Sequence, residues 1–313
     1  METVQLVGGD YEHALGLEQE RDGVRIRYTR GSPSAIFGKM ILEQCYETCE
    51  FSLANLIMLM DKGAKWLSAI PVFPNRAFRH HILYVRKDSG IRGPEDLRGK
   101  RLAVEDYSMT AAVWVRGLLN EEYGVSWRDI SWFCDNRQGR FQPPAAAKVT
   151  LLEGDPESLL EAGRVDAMMS SAPRDEHRPP QERKFRRLFE PAQQIEEDYY
   201  KRTGIFPINH CIVIRSDVLA RLPHLPKLLF DIYLESKRAA YRRKLGASLV
   251  PWSKLYWSNI FDVFGGDPLP YGLTDSNIKV VSRLADYLHE QQLIDHIPTL
   301  ESLFLPDSLA FRE

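Results

Sequence analysis

The order in which strand-forming and helix-forming segments follow one another is the strongest constraint on how this chain folds. Residues 24–28 alternate apolar side chains with arginines, which is typical of a half-buried strand, and Ser32-Pro33 then supplies a helix N-cap and first turn. Residues 51–54 predict another strand, and a helix follows it over 55–62. Strands that alternate with helices in this way indicate an α/β fold.

Length and composition suit a globular protein with more than one core. The 313 residues exceed what one small core organises, and 44% hydrophobic with 27% charged residues is ordinary for a globular chain. A formal net charge of -2 shows no basic excess that would indicate a nucleic-acid partner. No apolar run approaches the roughly 20 residues of a membrane span. We therefore expect a small-molecule partner, and neither nucleic acid nor membrane.

The first residues lack the basic start, the long apolar run and the small-residue cleavage site of a signal peptide. On this basis we expect a cytoplasmic protein whose four cysteines remain thiols. Cys45 and Cys49 are four residues apart, as metal ligands can be, but no second pair of ligands follows them. The sequence accordingly predicts no metal site.

Two segments resemble elements of type II solute-binding proteins. Residues 97–104 (LRGKRLAV) are similar to the element that opens the second lobe of that fold, and residues 158–167 (SLLEAGRVDA) are similar to a later element of the same lobe. The resemblance implies a two-lobed type II periplasmic-binding-protein-like α/β fold with a ligand cleft between the lobes. Lobe one would comprise residues 1–87 and 200–313, and lobe two residues 88–199.

Four further segments resemble the 4,5-dihydroxyphthalate decarboxylase family. They are residues 73–80 (FPNRAFRH), 107–117 (YSMTAAVWVRG), 204–210 (GIFPINH) and 267–272 (DPLPYG). Members of that family resemble binding proteins in fold and are cytoplasmic enzymes that need no organic cofactor. The resemblance implies a cofactor-independent decarboxylase of a hydroxylated aromatic carboxylic acid, such as 4,5-dihydroxyphthalate, which would yield protocatechuate.

Decarboxylation of an electron-rich aromatic acid requires a proton for the ring carbon and a group that holds the carboxylate. Histidine titrates near neutrality, and the planar fork of arginine pairs with both carboxylate oxygens. On the family motifs we expect His80, at the start of a strand, to be the acid and Arg76 to hold a carboxylate. His210 is expected as a second acid or as a partner for the ring hydroxyls. The simpler alternatives are two structural histidines and a solvated arginine.

Nine further residues are candidates for substrate contacts: eight lie at strand ends or helix starts, and Trp114 lies one turn into a helix. The carboxyl ends of strands line ligand sites in open α/β sheets, and the N-termini of helices attract anions. A structural role as cap, turn or core residue is the alternative for each. The nine candidates are Asp10, Tyr11, Ser52, Asn55, Tyr107, Ser108, Thr110, Trp114 and Ser170. Among them, Ser108 and Thr110 are expected at the N-cap of a helix over 110–123.

A solute-binding protein that captures an aromatic or other carboxylate for transport or sensing, without turnover, is the competing interpretation. The absence of a signal peptide favours the enzyme, because a transport receptor must leave the cytoplasm. The histidines in the family motifs favour it too, since anion binders rely more on arginine and backbone donors. Both interpretations leave a homo-oligomer open.

Overall fold

The structure is a computed structural model that describes residues 1–135, 141–245 and 250–313, and the elements below belong to these ranges. The strands are β1 (Glu2–Gly8), β2 (Gln19–Arg21), β3 (Val24–Arg30), β4 (Thr48–Ser52), β5 (Leu67–Arg76), β6 (Leu83–Arg86), β7 (Arg101–Val104), β8 (Ser131–Cys134), β9 (Lys148–Leu151), β10 (Ala167–Met169), β11 (Phe185–Arg187) and β12 (Ile208–Arg215). The helices are α1 (Pro33–Glu43), α2 (Leu53–Asp61), α3 (Thr110–Tyr123), α4 (Pro156–Glu161), α5 (Ala192–Thr203), α6 (Ser216–Arg221), α7 (Leu225–Leu245), α8 (Ser253–Phe264), α9 (Asp275–Glu290) and α10 (Leu300–Leu303).

The chain divides into two compact units. Unit 1 comprises Met1–Arg76, Ile208–Ser282 and Pro298–Glu313, and unit 2 comprises Ala77–Pro207 and Arg283–Ile297. The sequence predicted crossings at 87/88 and 199/200, whereas the structure divides the chain after residues 76 and 207. Helical periodicity does not reveal which core a helix joins, so the sequence did not predict that residues 283–297 belong to unit 2.

Unit 1 is built on a six-stranded sheet in the order β2-β3-β1-β4-β12-β5. β1 is parallel to β3 and β4, while β12 is antiparallel to both β4 and β5. The carboxyl ends of β1, β4 and β5 therefore meet the amino end of β12 at one edge of the sheet. We call this edge the C-terminal edge of unit 1.

One face of this sheet is apolar until it reaches the C-terminal edge. Leu6 of β1, Ile26 of β3 and Ile212 of β12 are fully buried and pack in one cluster with residues of α7. Burying each such side chain stabilises the fold by about 1.5–3 kcal/mol. Because side chains on a strand alternate between faces, Glu50 and His210 lie on this same face, nearer the edge.

Unit 2 carries a second six-stranded sheet in the order β11-β6-β10-β7-β8-β9. The helix α3 packs Val115 and Leu119 into the core of this unit, and it spans the residues that the sequence predicted. It ends at Gly124, whose φ of +64° is the left-handed conformation that glycine adopts readily at a helix C-terminus. No helix in the described ranges has the length and apolar character needed to cross a membrane.

Two local predictions in unit 2 were wrong. The N-cap of α3 is Met109 rather than Ser108, because the amide and hydroxyl of Ser108 both donate to Oδ1 of Asp106, at 2.6 and 2.7 Å. The strand β6 begins at residue 83, so His80 precedes the strand. The amide of His81 donates to Oε1 of Glu196 at 3.0 Å. This side-chain contact takes the place of a strand ladder at that position.

Candidate functional site

A buried carboxylate and a histidine face each other at the C-terminal edge of unit 1. Glu50 of β4 is paired with Ile212 of β12, so His210, two residues earlier, occupies the diagonal position on the same face. Nδ1 of His210 lies 2.5 Å from Oε1 of Glu50, and the two side chains are 15% and 1% exposed. The contact fixes the imidazole ring and leaves Nε2 as the nitrogen that can meet a ligand.

Two further hydrogen bonds hold the Glu50 carboxylate. The hydroxyl of Tyr11 donates to Oε1 at 2.7 Å, and the amide of Gly9 donates to Oε2 at 2.7 Å. Burial acts to raise the pKa of Glu50, but the charge and hydrogen bond of His210, with the bonds from Tyr11 and Gly9, outweigh it and lower the pKa below its usual value. Glu50 is therefore ionised at neutral pH. Burial, together with this carboxylate, raises the pKa of Tyr11, which remains a donor.

Glycines at the end of β1 make room for this cluster. A Cβ on Gly8 would lie 2.6 Å from the hydroxyl oxygen of Tyr28 and 3.3 Å from Oε2 of Glu50. A Cβ on Gly9 would lie 2.4 Å from Cζ of Tyr11. The Tyr28 hydroxyl donates to the carbonyl of Gly9 at 2.6 Å, which holds the turn so that the Gly9 amide faces Glu50. A side chain at either position would displace the tyrosine that it meets, so glycine suits both positions.

Two asparagines extend the hydrogen-bonded cluster to β5 and β12. Nδ2 of Asn75 donates to the hydroxyl of Tyr11 at 3.2 Å, and Nδ2 of Asn209 donates to Oδ1 of Asn75 at 2.6 Å. Asn75 is paired with His210 across β5 and β12. The cluster therefore runs continuously from the end of β5 to the Glu50 carboxylate, and it joins three strands at one edge.

Arg76 ends β5 at the same edge. Its Nη2 donates to the carbonyl of Pro270 at 2.7 Å and to Oδ1 of Asn277 at 2.6 Å, and its Nε is buried without a hydrogen-bond partner. No carboxylate of the described residues lies within 4.0 Å of the guanidinium. Burial lowers the pKa of Arg76 to about 10. A half-buried cation that is bonded only to neutral oxygens favours an anionic ligand.

The other unit 1 candidates have structural partners. Asp10 is exposed and forms an ion pair of 3.3 Å with Arg30. Ser52 is the N-cap of α2, and its hydroxyl accepts a hydrogen bond of 3.2 Å from the amide of Asn55. Ser52 and Asn55 are both buried at the C-terminal edge of unit 1. Contact of these three residues with a substrate stays a prediction.

His80 lies in unit 2 and is 1% exposed. Its ring packs edge-on against Phe189 and Tyr199, at centroid distances of 5.0 and 5.3 Å. Nδ1 has no hydrogen-bond partner, and Oε1 of Glu196 is 3.9 Å away. Burial lowers the pKa of His80 to about 4, against the opposing effect of Glu196. The imidazole is therefore neutral near pH 7, which favours the structural alternative, and its role as the acid stays a prediction.

Two other unit 2 candidates are core residues. Tyr107 is fully buried, with the guanidinium of Arg116 3.9 Å from its ring centroid and its own hydroxyl without a hydrogen-bond partner. Trp114 is 1% exposed and packs edge-on against Tyr287 at 5.5 Å. Both side chains pack within unit 2, and their contact with a substrate stays a prediction.

Three unit 2 candidates lie next to element ends. Ser108 and Thr110 are buried where α3 begins, 1% and 3% exposed. Ser170 follows β10 and is half-buried, and its hydroxyl accepts a hydrogen bond of 3.4 Å from the amide of Ala172. Their predicted contact with a substrate is a matter for experiment.

Sequence reasoning missed Glu50, the residue on which the unit 1 cluster depends. A signal for it exists: Glu50 stands between Cys49 and Phe51 in a strand whose five residues are all buried. An acid inside such a strand must have hydrogen-bond partners, because a buried and unpaired charge is too costly. The sequence could not name those partners.

The described ranges contain no group of three or more His, Cys, Asp or Glu side chains that could hold a metal ion. All four cysteines are free thiols, and Cys45 is the exposed one. Burial raises the pKa of Cys49 and of Cys211, so both remain protonated at neutral pH.

Solved structures share this architecture. The periplasmic aliphatic sulphonate binding protein SsuA from Escherichia coli is similar with a TM-score of 0.61 and 12% identity, over 97% of this chain and 92% of that one. The desulfurization enzyme DSZB is similar with a TM-score of 0.52 and 13% identity, over 99% and 98%. At these identities the likeness concerns the fold alone. The chain is an α/β protein of the class that includes the solute-binding proteins.

Sequence comparison narrows this class to one family. A 4,5-dihydroxyphthalate decarboxylase of Comamonas testosteroni is 34% identical over an alignment of 321 positions that covers 96% of this chain and 96% of that protein. The chain belongs to the 4,5-dihydroxyphthalate decarboxylase family. A second protein of that name, from Pseudomonas putida, is 35% identical over an alignment of 164 positions that covers 49% of this chain and 62% of that protein. No family model matches the chain.

Proposed function

We propose that this protein is a cofactor-independent decarboxylase that converts 4,5-dihydroxyphthalate, or a close hydroxylated aromatic acid, to its decarboxylated product. Membership of the family supports the reaction class. The single observation that carries the choice of proton donor is the 2.5 Å contact between Nδ1 of His210 and Oε1 of Glu50. For 4,5-dihydroxyphthalate the products are protocatechuate and carbon dioxide.

His210 supplies the proton in the proposed reaction. Nε2 of His210 protonates the ring carbon that bears the carboxylate, while the ionised Glu50 at Nδ1 stabilises the imidazolium and fixes its orientation. A hydroxyl para to that carbon donates electron density and makes the carbon basic enough to accept the proton. The bond to the carboxyl carbon then breaks, carbon dioxide leaves, and the electrons of that bond restore the aromatic ring.

Arg76 holds a carboxylate of the substrate in this proposal. Its side chain is half-buried and its guanidinium is hydrogen-bonded only to neutral oxygens, so the attraction to an anion is less screened than at the surface. Arg76 ends β5 and is paired with Ile208 of β12, two residues before His210. This register supports a site in which one group binds the acid and a neighbouring group delivers the proton. The sequence-based role of His80 as the donor remains the competing assignment.

The test is turnover by the purified, chelator-treated protein. We expect many equivalents of protocatechuate and carbon dioxide per protein when 4,5-dihydroxyphthalate is supplied. His210→Asn should lower kcat by roughly 10²–10⁴-fold and leave substrate affinity nearly unchanged. His289→Asn, at an exposed position, is the matched control.

Each outcome of this test has one meaning. If His80→Asn abolishes turnover with binding intact while His210→Asn does not, the donor is His80. A wild-type protein that binds the compound without turning it over is a binding protein, the alternative that the sequence left open. Turnover that a chelator abolishes and a metal restores would refute the metal-free mechanism.

A further inference from the structure

His13 has a ring nitrogen that is buried and lacks a hydrogen-bond partner. The residue lies in a 3₁₀ turn just after β1, and its ring stacks on the ring of Tyr11 with a centroid distance of 5.1 Å and an interplanar angle of 7°. The nitrogen without a partner is Nε2. Tyr11 is hydrogen-bonded to Glu50, so only the Tyr11 side chain separates His13 from the carboxylate that contacts the proposed proton donor, His210.

The hydrogen bond of His13 to Pro74 fixes its tautomer. The backbone of Pro74 is the partner of the His13 ring, and proline has no N–H, so the ring donates to the Pro74 carbonyl. Because Nε2 has no partner, the donor is Nδ1. Burial lowers the pKa of His13, which keeps the ring neutral near pH 7. Nε2 therefore presents a lone pair and can only accept a hydrogen bond.

Among the described residues of unit 1, His13 and Arg76 carry the buried polar side-chain atoms that lack a partner. Nε2 of His13 is an acceptor and Nε of Arg76 is a donor. Pro74, which fixes the first ring, lies two residues before Arg76 on β5, so one strand end positions both groups. A ligand that satisfies both atoms must offer one hydrogen-bond donor and one acceptor, and a ring hydroxyl with a carboxylate oxygen is such a pair.

We propose that Nε2 of His13 accepts a hydrogen bond from a ring hydroxyl of the substrate and thereby selects hydroxylated aromatic acids over their unhydroxylated analogues. This inference rests on the proposed function, because it assigns specificity within the same site. An analogue without the hydroxyl leaves the buried acceptor unpaired and is therefore bound less tightly. Stacking on Tyr11 and the bond to Pro74 hold the ring plane, so the acceptor is preorganised.

The test compares two ligands, 4,5-dihydroxyphthalate and phthalate, which differ only in the hydroxyls. Titration calorimetry uses the His210→Asn protein so that no substrate is consumed. We expect His13→Phe to lower the affinity ratio of the first ligand over the second by about tenfold or more, with phthalate affinity nearly unchanged. His13→Gln, which offers an amide oxygen, should retain part of the ratio. His224→Phe, at an exposed position, is the control.

Equal losses for both ligands, or an unchanged ratio in a folded His13→Phe protein, would overturn the role of His13. If the melting curve shows that His13→Phe does not fold, the affinity ratios of His13→Gln and His13→Ala are measured instead. A wild-type ratio in both of these proteins, when folded, overturns the inference. If the His13-containing protein binds neither ligand, the proposed function itself fails and this inference with it. Failure of the specificity alone leaves both ligands bound and the substrate class intact.

Discussion

Nη2 of Arg76 lies 2.6 Å from the amide oxygen of Asn277, so a neutral group anchors this half-buried cation. The amide nitrogen of Asn277 donates to the carbonyls of Pro270 and Gly272, at 2.9 and 2.7 Å, which leaves the oxygen to face the arginine. The anchor fixes the position of Arg76 without cancelling its charge. That charge is consequently available to an anionic ligand.

Replacing Arg76 by methionine should weaken binding of 4,5-dihydroxyphthalate by roughly 2–5 kcal/mol, as expected when one partner of a desolvated charge pair is removed. Arg76→Lys keeps the charge but loses the planar fork, so its affinity for the ligand should lie between those of the wild type and Arg76→Met. Titration calorimetry measures both affinities when the changes are made in the His210→Asn protein, so that no ligand is consumed. The control is Arg27→Met, at an exposed position of β3. Unchanged affinity in Arg76→Met would show that a different group binds the carboxylate.

Glu50→Gln keeps the shape of the side chain and removes its charge. Since the carboxylate accepts from both His210 and Tyr11, the amide cannot satisfy the same set of donors. We expect kcat to fall by about 10²-fold or more, because the imidazolium loses its counter-charge, while KM changes little. Steady-state kinetics gives both numbers, and Glu43→Gln, exposed at the end of α1, is the control. A fall in thermal stability with kcat unchanged would make Glu50 a purely structural residue.

The fold was predictable where the signal is local. The bounds of α3 followed from the spacing of its apolar residues, and the start of α1 followed from Ser32-Pro33. The N-cap of α3 was not predictable in the same way, since Asp106 competes for Ser108. The membership of 283–297 in unit 2 depends on tertiary packing, such as that of Tyr287 on Trp114. Such packing has no sequence signature.

The candidate site was predicted in pieces. Tyr11, Arg76 and His210 were identified singly, because each lies at a strand end or on a motif that resembles the family. Glu50 joins Tyr11 to His210 through the register of β4 against β12, a pairing of segments about 160 positions apart in the chain. No local pattern encodes a register over that distance. The burial that lowers the pKa of His80 is likewise a tertiary property.

His80 should make the protein less stable as the pH falls below neutrality. Its pKa is about 4 in the folded protein, against about 6.5 for an unfolded chain, so the unfolded state binds the proton first. The stability that the neutral, buried His80 contributes is fully present above pH ~6.5. It is lost progressively as the pH falls toward ~4, because the unfolded chain takes up the proton first. The loss amounts to at most about 3 kcal/mol.

Urea unfolding of wild type and His80→Phe across this pH range measures the effect. Phenylalanine suits the neighbouring rings of Phe189 and Tyr199 and cannot titrate. The free energy of unfolding should fall less steeply in the variant, while His289→Gln should follow wild type. Parallel curves for wild type and His80→Phe would mean that His80 is not protonated on unfolding in this range.

The close approach of Tyr28 to Gly8 predicts an energetic coupling between the two residues. A methyl group on Gly8 would lie 2.6 Å from the Tyr28 hydroxyl oxygen, so Gly8→Ala should destabilise the protein by about 1–3 kcal/mol through overpacking. Tyr28→Phe alone should cost about 1 kcal/mol, because it removes the hydrogen bond to the Gly9 carbonyl.

The double variant should lose less free energy of unfolding than the sum of the two single losses, by about 1 kcal/mol or more. The reason is that the hydroxyl oxygen that the new methyl group would meet is gone. Denaturant unfolding of the four proteins completes the cycle. Gly90→Ala provides the control, since nothing lies within 4 Å of a Cβ at that position and its effect should add to that of Tyr28→Phe. Simple additivity of Gly8→Ala with Tyr28→Phe would show that the Tyr28 hydroxyl moves aside at no cost.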